Sequence, residues 1–185
     1  MPRTLLPLIL IAIVLLLKPV AGEERLPGGI STSLALKIGE RLHRSQKQGC
    51  ATCHNLDGTG GARAGAANLR KPSKWKSTLI AKKVAQLGLE GESTRSVAVG
   101  LILHGAEKWN AEFYNKPEYS RIEDKIFFDK RMIGVHSTAL KTNRKMAKRL
   151  LRKNKKRVAS KDLLRLMAES VYLYLEQKLF LEEEK

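Results

Sequence analysis

Apolar residues return at helical spacing in several stretches of the chain. Leu34, Ile38 and Leu42 recur at i and i+4, with Gly39 on the adjacent strip. This pattern predicts a first helix opening at Ser33, running to about Lys47 and delivering Gly49 and Cys50 at its end. Residues 79–87 predict a short helix stopped by Gly88, and residues 94–104 a stronger one with Val97, Val99, Leu101 and Ile102, stopped by Gly105. Met146, Leu150, Leu151 and Val158 mark an extra, strongly basic helical segment. Ser160 is placed to cap a last helix, with Asp162 favouring its amide end and Leu164, Met167, Val171 and Leu175 on one side. No segment alternates with turn signals at both ends, and no internal repeat is present. The expected fold class is all-α.

Between these helices the pattern breaks. Residues 106–131 hold six of the ten aromatic residues without a clean period, which predicts a long loop, with room for a short helix, packed over something apolar. At the N-terminus, residues 5–17 form an unbroken apolar run. A bilayer span needs about 20 such residues, so the run suits the apolar core of a secretory signal. Residues 1–22 are therefore expected to be a signal peptide or an N-terminal membrane anchor. The protein would be periplasmic, either soluble after signal removal or held to the inner membrane. Residues 23–32 follow as a linker, 33–178 as one domain with a long insertion at about 106–160, and 179–185 as an acidic, solvated tail.

Charge changes the picture of that insertion. The chain has 185 residues, with 35 Lys and Arg against 18 Asp and Glu, a formal charge of +17. Residues 141–161 carry 11 basic side chains and no acidic one. Such a run expects a negative partner surface: an acidic protein, or anionic phospholipid headgroups. The plain alternative is a solvated face that keeps the protein soluble. Nucleic acid is disfavoured by export. With only two cysteines, a disulfide-dense scaffold and a four-thiolate metal site are both excluded.

Those two cysteines carry the chemistry. Residues 50–54 read Cys-Ala-Thr-Cys-His. Two thiols separated by two residues, with histidine next, is the spacing for attaching haem through its vinyl groups. One helical turn sets Cys50 and Cys53 beneath the two vinyl-bearing edges, and His54 directs its imidazole at the iron. The second ring nitrogen of His54 is expected to donate to a backbone carbonyl. A thioredoxin-like pair wants a preceding strand, and a structural zinc site wants a second pair of ligands. A plain Cys50–Cys53 disulfide leaves His54 unexplained. Nothing resembles a catalytic carboxylate pair or an activated serine.

The Cys50–His54 motif, Gly39 and the glycine-rich stretch at 58–69 together resemble class I mono-haem cytochrome c, over residues 33–105 and 161–177. The resemblance implies a cytochrome c-like fold around one covalent haem c, with Gly39 where the first and last helices cross and Tyr172 or Tyr174 opposite. The family's Gly-Pro-x-Leu stretch, whose proline carbonyl accepts from the proximal histidine, is matched by Ala66-Ala67-Asn68-Leu69, with Ala67 at the proline position. The family takes its sixth iron ligand, most often methionine, from a loop before the last helix. Met132 is the best match, His136 the alternative, and His104 a remoter one. Met146 and Met167 read as core and His43 as surface. The implied function is one-electron transfer, by a carrier or a non-catalytic subunit of an oxidoreductase complex, and the acidic partner expected for the basic run is then an acidic redox protein or larger respiratory complex. The alternative is a haem enzyme or gas-binding sensor with an open or displaceable sixth site.

Overall fold

The computed structural model describes residues 26–45, 49–61, 65–89, 91–137 and 141–181. Its helices, in chain order, are α1 (Thr32–His43), the single turn α2 (Ala51–His54), α3 (Lys76–Gln86) entered through a 3-10 turn at Pro72–Lys74, α4 (Thr94–His104), α5 (Ala106–Phe113), α6 (Lys141–Lys153) and α7 (Ser160–Lys178). Among the described residues there is no strand, only an isolated antiparallel bridge between Gly105 and Ile133. The fold is all-α, as the periodicity predicts.

The main core forms where α1 crosses α7. Leu34, Ala35, Ile38 and Leu42 pack against Leu166, Met167, Val171 and Leu175, all at most 5% exposed. Burying each large aliphatic side chain contributes about 1.5–3 kcal/mol, so this crossing dominates the hydrophobic stabilisation. Gly39 makes it possible. A Cβ there would lie 1.9 Å from the Ser170 carbonyl oxygen and 2.8 Å from Tyr174 Cβ. Of the two tyrosines named for the crossing, Tyr174 is the one met.

α4 lies across α7, and α3 packs on α4. Ser93 and Ser96 hold the start of α4 by a reciprocal capping box, each hydroxyl accepting from the other's backbone N–H. A second core fills the outer side of α3 and α4 with Trp109, Phe113, Tyr114, Tyr119 and Ile122. Trp109 stacks on Phe113 at 4.2 Å, and Phe113 on Tyr119 at 4.4 Å. The aromatic segment therefore packs largely on itself, with α5 as its helix.

Several expectations need correcting. α1 stops at His43, not near Lys47, and His43 is fully buried against Tyr174 rather than at the surface. Ser160 lies within α7, whose cap position is Ala159 and has no side-chain hydrogen bond. The end of the linker is packed, with Ile30 only 5% exposed. Phe180, assigned to the solvated tail, meets Trp75 edge-on at 5.3 Å.

The membrane-held form is corrected too. Among the described residues no helix is long and apolar enough to cross a membrane. The longest, α7, has 19 residues but carries Lys161, Asp162, Arg165, Glu169, Glu176 and Lys178, and its buried residues face protein. The apolar run at 5–17 lies outside the described residues, and the membrane-held alternative is set aside.

Candidate functional site

The chain leaves α1 at Arg44, and Gly49 donates its N–H to the Ser45 carbonyl at 2.9 Å. A Cβ on Gly49 would lie 2.4 Å from that carbonyl oxygen, so this tight approach requires glycine. α2 follows at once. Cys53 and His54 both donate backbone N–H groups to the Cys50 carbonyl, at 3.1 and 2.9 Å. This one turn brings Cys50, Cys53 and His54 together as the spacing predicts.

His54 is then oriented from the other side of the glycine-rich loop. Its Nδ1 lies 2.7 Å from the Ala67 carbonyl oxygen. A carbonyl only accepts, so Nδ1 carries the proton and Nε2 keeps the ring's lone pair. Among the described residues Nε2 has no hydrogen-bond partner. Burial, the larger influence, lowers the His54 pKa, while the bond to Ala67 raises it. A neutral imidazole with its bonding nitrogen presented outward is the species that ligates a metal. Gly60 sets this geometry. At φ +79°, a Cβ there would sit 2.8 Å from the carbonyl carbon and oxygen of Ala67, so a side chain would push the acceptor away. Asn55 closes the same loop, donating from Nδ2 to the Gly60 carbonyl at 2.7 Å. Trp75 anchors the next residues by donating from Nε1 to the Asn68 carbonyl at 2.8 Å.

The segment carrying Met132 reaches this site from the end of α4. The last carbonyls of a helix have no partner within it, and here Val135 and His136 donate N–H groups to Ile102 and Leu103 at 2.8 and 3.0 Å. Ala106, at the start of α5, donates to the Met132 carbonyl at 2.9 Å. Gly134 permits the contact, because a Cβ there would lie 2.2 Å from the Gly105 nitrogen. Met132 is half-buried and packs against both cores; Cys50, Leu69 and Leu103 pack against the first of them as well. Next to it, Arg131 and Asp129 form an ion pair, which lies 3.4–3.5 Å from where a Gly65 Cβ would be. His136 has a different setting. It is exposed, and its ring centroid is 6.4 Å from that of His104. His104, half-buried, has a buried Nδ1 without a partner.

Both cysteines are free thiols. Burial, above all, pushes the Cys50 thiol up to about 11. Dithiol oxidoreductases work through a lowered thiolate pKa, the opposite of the shift at Cys50. Among the described residues no three His, Cys, Asp or Glu side chains come together that would hold a metal ion by themselves. A haem iron asks less of the protein: one imidazole and at most one further donor.

Comparison with family models, curated proteins and solved structures finds no match to this chain.

Two contributors to the site, Gly60 and Arg144, went unnoticed in the sequence, and a third, His43, was read as surface. Gly60 stood among several glycines with nothing to single it out. Arg144, counted only as part of the basic run, donates from Nη2 to the carbonyls of His136 and Ser137 at 2.7 and 2.6 Å. It therefore holds the far end of the Met132 segment. His43 had a visible signal, since Ala35, Gly39 and His43 form an i, i+4, i+8 stripe along the crossing.

Proposed function

We propose that this chain binds one haem c through Cys50 and Cys53, with His54 on the iron, and that it transfers single electrons. The observation that carries this is the pairing of His54 Nδ1 with the Ala67 carbonyl, which leaves Nε2 as a neutral donor one residue after the second thiol. When bound, haem supplies a one-electron couple between ferrous and ferric iron.

The residues have distinct roles. Cys50 and Cys53 would hold the haem as thioethers, each S–H adding across a vinyl double bond, an addition with no leaving group and no need of an oxidant. Ala67 and Gly60 fix the plane and tautomer of the proximal imidazole. For the sixth position we assign Met132 over His136. Met132 packs on the core that Cys50 joins, whereas His136 is exposed. The crossing of α1 and α7 at Gly39 supports a cytochrome c-like arrangement, with residues 106–137 folding back to carry the sixth donor.

The test is expression in a host that attaches haem to such motifs, followed by visible and near-infrared spectra of both oxidation states. The expected protein is coloured, keeps its colour after denaturation, and shows a low-spin spectrum with a weak long-wavelength band in the ferric form. Cys50→Ser and Cys53→Ser together abolish covalent haem, and Met132→Ala removes the long-wavelength band while His136→Ala does not. A colourless wild-type protein with two free thiols would overturn the proposal. A rapid spectral change with carbon monoxide would replace the carrier with a gas-binding or enzymatic haem protein.

A further inference from the structure

Resting on the electron-transfer reading for what is delivered, though not for the binding itself, we propose that the outer face of α6 and the turn after it is the docking surface for an acidic protein partner.

The face is built for contact with an anion. Ten of the 11 basic side chains at 141–161 are exposed, Arg144 being the half-buried exception. Among the described residues none of those ten has an ion-pair partner. Like charges this dense repel one another, and that repulsion is relieved when carboxylates approach.

The structure also separates the candidate anions. A lipid surface is bound by amphipathic helices that insert apolar side chains. In α6 the apolar residues are already used: Ala147 and Leu151 are buried, and Met146 and Leu150 pack against the main core. Single-stranded nucleic acid is gripped by aromatic platforms, and α6 has no aromatic residue. Asn143, the side chain suited to reading a base edge, is buried and accepts from the Ser45 hydroxyl at 3.1 Å. What is left outside is mainly lysine, a hydrated point charge suited to steering across water rather than bidentate grip.

Position completes the case. The Asn143–Ser45 bond ties one end of α6 to the residue whose carbonyl starts the turn into Cys50. Arg144 ties the same end to the segment following Met132. A partner steered to α6 therefore arrives beside both flanks of the proposed haem site.

The experiment uses the full chain and titrates it with poly-L-glutamate, with a mixed-sequence DNA duplex, and with phosphatidylcholine vesicles containing anionic phospholipid. One variant reverses four exposed cations on α6: Lys145→Glu, Lys148→Glu, Arg149→Glu and Arg152→Glu. A control reverses four exposed cations elsewhere: Lys37→Glu, Arg41→Glu, Lys82→Glu and Lys178→Glu, giving the same net charge. The expected result is poly-L-glutamate binding weakened about tenfold or more by the α6 variant and less than about threefold by the control. In the coloured protein, oxidation by anionic ferricyanide slows in the α6 variant, while oxidation by cationic tris(phenanthroline)cobalt(III) does not. Equal losses in the two variants would reduce the face to net charge and overturn the proposal. A larger loss for the duplex or the vesicles than for poly-L-glutamate would overturn it in favour of a phosphate-bearing partner. A colourless protein would remove the electron-transfer proposal yet leave the poly-L-glutamate comparison decisive.

Discussion

His43 and His54 are both held below their ordinary imidazole pKa by burial, but they differ in what burial does for them. His54 presents a lone pair. His43 is enclosed under Tyr174, with Nε2 3.2 Å from the Leu56 carbonyl oxygen and a buried Nδ1 that has no partner. Protonating it inside the fold costs more than protonating it in the unfolded chain, where the pKa is about 6.5. Its contribution to stability is thus complete above that value and is lost as pH falls from there through the lowered folded pKa. We expect the melting temperature to drop between pH 7 and pH 5. His43→Gln should flatten that dependence whatever it does to the stability at pH 7. An unchanged slope would show that other groups govern the acid limb.

Among the helices, α1 and α7 depend on one another at a single position. Gly39 lets the two backbones approach until the Ser170 carbonyl occupies the place of a side chain. Gly39→Ala must separate the helices or bend them, with Ser170 and Tyr174 both displaced. Overpacking of this kind usually costs about 1–3 kcal/mol. Because the obstruction is backbone rather than a movable side chain, the upper end of that range is expected. Urea unfolding measures it as a lower midpoint at unchanged slope. A loss under about 0.5 kcal/mol, the range of ordinary surface substitutions, would mean that the crossing has slack the geometry does not reveal.

Across the whole molecule, the two cores share a boundary at the end of α4, and Met132 sits on it. The second core is what folds residues 106–128 back. Asn110 brackets Phe128 with two hydrogen bonds, and the Tyr114 hydroxyl donates to the Ile126 carbonyl while accepting from its N–H. Trp109, 6% exposed, is its largest member. Trp109→Ala should cost about 3–5 kcal/mol and should expose residues 114–128 to proteolysis before the α1–α7 pair unfolds. Cleavage appearing first elsewhere would show that the aromatic core is not a separate cooperative layer.

The local periodicity was sufficient to place α4 at its observed bounds, and it located α3 and α7 to within a few residues, because a helix of that length is decided by its own apolar stripe and its stops. The spacing of Cys50, Cys53 and His54 likewise sufficed to bring those three together, since one turn of backbone spans them. Ala67 as the imidazole's acceptor came by resemblance, and the fold supplies the contact through Gly60. What the linear pattern left open were the contacts between residues far apart in the chain: His43 inside rather than outside, Arg144 tied to the His136 and Ser137 carbonyls, and Met132 rather than His136 beside the core. Those depend on which helix surfaces meet and which orphaned carbonyls are left to be satisfied. Such facts exist only once the backbone has closed on itself.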